Sequence, residues 1–151
     1  DEDIEAIIAY LRSQPVVRNE LPSTNPSLVL ALAFGSGRVQ TARDLEPIKG
    51  AVVAPPKAAS SEYGAYLISF LDCGGCHDTH LQGRPTPGLY PVSPPVLPFI
   101  RAWSQDEFIT TMRTGVAPGG YVIKPAMPTK QIGMFDDIEL AAMYRYLGSL
   151  T

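Results

Sequence analysis

Two cysteines stand two residues apart, with a histidine directly behind the second, in Cys73-Gly74-Gly75-Cys76-His77. No other stretch constrains the fold as strongly, because these are the only two cysteines in the chain. The spacing is that of covalent haem attachment. One helical turn presents both sulfurs to the two vinyl groups on a porphyrin edge, and the adjacent imidazole swings beneath the ring to the iron. Cys73 and Cys76 are therefore expected to carry thioether bonds to one haem c, and His77 to be its proximal axial ligand.

Three other chemistries use the same residues. A thioredoxin-like dithiol requires a strand–helix setting and a source of reactivity, and neither is visible. A zinc site from Cys73, Cys76, His77 and His80 would place two ligands on sequence neighbours, which is awkward for closed tetrahedral geometry. A disulfide closing so tight a loop would add little stability.

The chain has 151 residues, enough for one domain with a proper core and short for two. A net charge of -3 offers no basic patch for nucleic acid. Fifteen prolines and thirteen glycines point to long ordered loops around few regular elements, which suits a domain whose core is partly its cofactor. No apolar run approaches the roughly 20 residues of a membrane span. The opening residues do not carry the pattern of a signal peptide. Because c-type haem is attached after export in bacteria, the expected compartment is periplasmic or otherwise extracytoplasmic, with a targeting segment removed or lying upstream.

Residues 1 to 14 read as an amphipathic helix with Ile4, Ile7, Ile8 and Leu11 at helical spacing, stopped by Pro15. Its pattern recurs near the other end of the chain, where Asp137, Ala142, Tyr146, Leu147 and Ser149 repeat Asp1, Ala6, Tyr10, Leu11 and Ser13. Either both are simply amphipathic helices with an acidic start, or residues 1 to 14 close a preceding, similar domain. From Val16 to about Ala59 periodicity is scarce and prolines recur, so residues 1–59 are read as an N-terminal helix and linker arm. Within the arm, only Leu28 to Phe34 is compactly apolar, as a short helix or a strand. The arm either links redox domains or covers apolar surface near the haem.

Residues 60–151 are read as the haem domain. Ser60 or Ser61 caps a helix with Tyr63, Tyr66, Leu67, Phe70 and Leu71 on its apolar stripe, running into Cys73. Prolines through Pro98 then describe a loop, and some carbonyl in residues 85 to 95 is expected to accept the second ring N–H of His77. Ser104 and Glu107 form a capping box for a helix ending at Gly115. The last helix starts at Asp136 or Asp137 and runs to about Leu150. Four helices, long loops and no convincing strand make the class all-α. Trp103 and Arg113 are candidate donors to the haem propionates, and Arg101 is a weaker one.

What fills the sixth iron position separates electron transfer from chemistry. His80 follows His77 too closely to reach the far face. Met112 and Met143 fall within helical patterns as core residues. Met127 lies in a glycine- and proline-rich loop stiffened by Pro128 and is the expected ligand, with Met134 as runner-up.

Beyond the attachment motif, Tyr63-Gly64-Ala65-Tyr66-Leu67, Trp103-Ser104-Gln105-Asp106-Glu107-Phe108, Met112-Arg113-Thr114-Gly115-Val116, Met127-Pro128 and Glu139-Leu140-Ala141-Ala142 together resemble a class I cytochrome c domain. The likeness covers residues 60 to 151. It is nearest to the units of multi-haem cytochromes that serve as electron-transfer subunits of membrane-associated bacterial dehydrogenases. Tyr10-Leu11-Arg12-Ser13 followed by Pro15 resembles the close of such a unit. The resemblance implies His77 and Met127 as axial ligands, a first helix crossing the last, and a chain belonging to a longer multi-haem protein. One departure is the short loop between His77 and Trp103, which bears on the propionate contacts and not on the ligation.

With both axial positions held by protein atoms, no substrate reaches the iron, and the expected function is outer-sphere transfer of single electrons between redox partner proteins. The chain is then an electron-transfer protein or subunit and not itself an enzyme. The competing reading is a haem whose open or weakly held sixth site binds or converts a small molecule. A third is a structural or sensing module that holds haem.

Overall fold

A computed structural model describes residues 2–20, 25, 27–37, 49–50, 53–86 and 91–150. The chain divides into two compact units, Asp1–Val53 and Ala54–Thr151. Much of the expected arm, at residues 21–24, 26, 38–48 and 51–52, lies outside the described residues, as does the 87–90 stretch of the proline-rich loop.

The first unit contributes two helices. Helix α1 (Glu2–Ser13) opens on Glu2, Asp3 and Glu5, where carboxylates meet the positive end of the helix dipole. Its last turn is closed by Ser13 Oγ, which donates to the Tyr10 carbonyl at 2.7 Å. Helix α2 (Leu28–Gly35) settles the ambiguous apolar run: Ser27 Oγ accepts from the Leu30 amide at 3.3 Å, so the segment starts as a capped helix. No residue of either helix is buried.

The second unit is built on a crossing of α3 (Ser61–Phe70) with α8 (Asp137–Ser149). Gly64 makes the approach feasible, because a Cβ there would run into the Ala142 carbonyl and lie 2.9 Å from Tyr146 Cβ. Tyr63 and Leu67 of α3 meet Leu140, Ala142, Met143 and Leu147 of α8 in one buried cluster. Ser60 caps α3 through the Tyr63 amide at 3.2 Å.

Four further helices complete the unit: α4 (Cys73–His77), α5 (Leu97–Ala102), α6 (Gln105–Thr114) and α7 (Thr129–Ile132). The expected total of four helices for the whole chain is too low, since eight occur among the described residues. Helix α5 is the instructive omission. Pro98 sits in its first turn, where the missing N–H is harmless, and Leu97 and Ile100 both enter the core. Helix α6 carries the expected capping box, with Ser104 N to Glu107 Oε2 at 2.7 Å and Glu107 N to Ser104 Oγ at 3.2 Å. Its end at Gly115 adopts φ 70, a left-handed cap natural to glycine.

The C-terminal helix begins with a second capping box, Asp136 with Glu139. Lys57 reaches both carboxylates, at 2.6 and 3.0 Å, and so ties the segment before α3 to the start of α8. Tyr144 donates to the Trp103 carbonyl at 2.7 Å and packs on Phe108, anchoring the α5–α6 corner to α8. The only β-type pairings among the described residues are isolated bridges, Arg84 with Ser93 and Val116 with Val122. The fold is all-α.

Candidate haem-attachment site

Helix α3 ends at Phe70, and the chain enters α4 through Asp72 at φ 52, a left-handed conformation that Asp tolerates better than most residues. It leaves through Asp78, whose φ is also positive, at 73. Between these bends lies a single turn bearing Cys73, Cys76 and His77. The Asp72 carboxylate folds over Gly75, where any Cβ would overlap it. Cys73 and Cys76 are free thiols, both partly buried, and Cys73 packs against the main core.

The His77 ring fixes its own chemistry. Its Nδ1 lies 2.8 Å from the Pro94 carbonyl oxygen. A carbonyl only accepts, so Nδ1 carries the proton and Nε2 keeps a lone pair for a metal. The carbonyl expected somewhere in residues 85 to 95 is thus Pro94, a choice that required knowing how the loop returns. The last three carbonyls of α4 have no partners within so short a helix. They are met from the same loop: Gly75 O by Arg84 Nε at 3.0 Å, Cys76 O by Ser93 Oγ at 2.6 Å and His77 O by Gly83 N at 2.8 Å. The sequence reading missed Gly83, Arg84 and Ser93, and only the glycine carried a local signal.

Burial pushes the Cys73 thiol above its ordinary range, its own backbone hydrogen bond opposes this, and the negative charge of Asp72 adds to the rise. A thioredoxin-type nucleophile needs the opposite shift. A neutral thiol suits addition of S–H across a vinyl group, which leaves a thioether and consumes both atoms. The zinc alternative lacks its geometry, because among the described residues no three His, Cys, Asp or Glu side chains gather into a metal site. His80 instead lines a cavity of about 400 Å³ with Ile68, Gly74, Leu81, Leu97 and Tyr146. Free thiols on one turn and an imidazole with one nitrogen already committed together fit a covalent haem.

The four methionines differ sharply. Met112 and Met143 are buried in the core, and Met134 is 82% exposed. Met127 is half-buried against the core edge in a loop fixed by Met127 N to Lys124 O at 3.0 Å and Thr129 N to Met127 O at 2.8 Å. Pro128 then caps α7. Trp103 packs against Phe99 in a tilted arrangement with ring centroids 5.3 Å apart. Arg113 bonds the Gly133 and Phe135 carbonyls and pairs with Asp137 at 2.6 Å, joining α6 to the loop beyond α7 and to α8.

The Cytochrome c family model matches residues 61–151, more than half of the chain. The chain belongs to the cytochrome c family. Three curated proteins are similar to this cytochrome c. The Gluconate 2-dehydrogenase cytochrome c subunit of Pantoea cypripedii is 30% identical over 95 residues, covering 55% of this chain and 21% of that protein. The Alcohol dehydrogenase (quinone), cytochrome c subunit of Gluconobacter oxydans (strain 621H) is 24% identical over 130 residues, 78% of this chain and 24% of its own length. The Fructose dehydrogenase cytochrome subunit of Gluconobacter japonicus is 27% identical over 139 residues, 84% and 27% respectively. This cytochrome c spans about a quarter or less of the relatives' lengths. No solved structure matches it significantly. Membership makes the chain a haem electron carrier and implies haem c held covalently. No helix among the described residues is long and apolar enough to cross a membrane.

Proposed function

We propose that the domain carries single electrons through one haem held by Cys73 and Cys76, with His77 and Met127 as axial ligands. Bound there, the haem supplies a one-electron iron couple whose edge exchanges electrons without binding substrate. The observation that supports this most directly is the 2.8 Å contact of His77 Nδ1 with Pro94 O, which leaves Nε2 as the metal-facing nitrogen. The partial burial of Met127 in a loop pinned at both ends suits a thioether held in place, whereas Met134 is in solvent. A neutral thioether favours ferrous iron, and the potential is expected to be comparatively high. Trp103 and Arg113 are the proposed propionate donors, with the indole N–H as the better candidate because Arg113 already makes three bonds elsewhere.

The partners follow from the relatives' names: a dehydrogenase on one side and a further acceptor on the other, meeting over small transient interfaces, in the periplasm or another extracytoplasmic space. Residues 1–59 are proposed to be the closing helix and linker of a preceding unit of the same kind. Superimposed in register, Ile4, Ala6, Ile7 and Leu11 of α1 fall where α8 has Leu140, Ala142, Met143 and Leu147, which are all buried. Both helices also end on a serine bonded back three residues to a tyrosine carbonyl, at 2.7 and 2.6 Å.

The test is substitution of the sixth ligand. Met127→Ala is expected to abolish the low-spin His/Met spectrum and lower the potential, while Met134→Ala leaves both unchanged. Retention of the spectrum by Met127→Ala would contradict the assignment.

A further inference from the structure

We propose that Arg84 and Ser93 are positioning residues for the iron ligand: they form a latch that holds the Pro94 carbonyl against His77. This rests on the His77 ligation proposed above. Neither residue ligates anything in that reading; both act through the backbone of the attachment turn.

The two residues face each other across the loop. Arg84 N donates to Ser93 O at 2.9 Å, and Ser93 N returns a bond to Arg84 O at 3.1 Å. The Ser93 hydroxyl is a relay, accepting from Arg84 N at 3.2 Å and donating to Cys76 O at 2.6 Å. Arg84 Nε caps the neighbouring Gly75 carbonyl. The next residue after Ser93 supplies the carbonyl that His77 Nδ1 uses, so the placement of Pro94 is set by the bonds around Ser93. Gly83 completes the latch. Its φ of +80 and the position of its absent Cβ, 2.6 Å from Ser93 O and the Pro94–Pro95 peptide, show two strands of loop touching where only glycine fits.

The consequence lies in the electronics of the imidazole. A ring whose second N–H is held by a carbonyl donates more strongly through its other nitrogen, and stronger donation favours ferric iron. Ser93→Ala removes the relay, lets Pro94 O drift and weakens that donation.

The experiment uses the full chain matured with haem. In Ser93→Ala, the ferric-to-ferrous ratio at one fixed ambient potential is expected to move toward ferrous by about threefold, with faster solvent exchange of the His77 Nδ1 proton by NMR. Ser93→Thr keeps a hydroxyl and restores both readouts. Arg84→Lys keeps the charge but loses the planar fork, and shifts both in the same direction by less. If Ser93→Ala fails to mature, Ser93→Thr and Arg84→Lys carry the test. Unchanged ratio and exchange in Ser93→Ala, or in Arg84→Lys where that variant carries the test, would overturn the latch while leaving the carrier reading intact. Wild-type chain without haem, or without an imidazole on the iron, would overturn the carrier reading and the latch with it.

Discussion

The imidazole of His77 and the hydroxyl of Thr111 are polar groups with contrasting circumstances. His77 has an acceptor at 2.8 Å, and its tautomer follows from that one bond. Thr111 is 1% exposed, and its Oγ1 has no hydrogen-bond partner in the described structure. A buried hydroxyl without a partner is destabilising, whereas an apolar group of the same shape is not. Thr111→Val is accordingly expected to leave the protein as stable as the parent or up to about 1 kcal/mol more stable in urea unfolding. A loss of that size would mean the hydroxyl is bonded in the matured protein. At this scale the sequence was informative where chemistry is local. Cys73, Cys76 and His77 declare themselves by spacing, while Pro94 depends on a chain reversal that no local pattern encodes.

Among the elements, helix starts were the most legible feature, because a cap is a local event. Ser60 and Ser104 cap helices where their side chains suggest. The capping box at Asp136–Glu139 went unread because aspartate replaced the usual hydroxyl, and α5 went unread because Pro98 resembles a breaker until its first-turn position is known. These caps also set an acid limit. The Lys57 ammonium, followed by the Glu139 amide, holds the Asp136 carboxyl below its ordinary 3.8. The Ser104 amide, then its hydroxyl, holds Glu107 below its ordinary 4.5. Folded values below unfolded ones mean that the stabilisation is present above the ordinary range and disappears as pH falls through the folded values. The urea midpoint is therefore expected to fall as pH drops below about 4.5, less steeply in Asp136→Asn. Equal slopes in the two proteins would show that the Lys57–Asp136 pair contributes nothing to the acid limit. Lys57 itself is held charged above its ordinary 10.5, so its contribution fades only in strong alkali.

For the whole molecule, the division at residues 53 and 54 bears on which part holds the haem. Every residue in the attachment turn, its loop and the α3–α8 crossing lies in the second unit. Residues 54–151 alone are expected to mature with one haem and to show the absorption spectrum and potential of the full chain. A fragment that loses its haem would instead make the first unit a cover for the site.

The iron's two ligands are reached most directly by the weak near-infrared absorption band of the oxidised 151-residue chain, which reports sulfur bound to ferric haem. The band is expected to be present, alongside sharp low-spin bands on reduction, and to be absent in Met127→Ala. A high-spin ferric spectrum without that band would contradict ligation by His77 and Met127, leaving an iron open on one side and a site fit to bind small molecules.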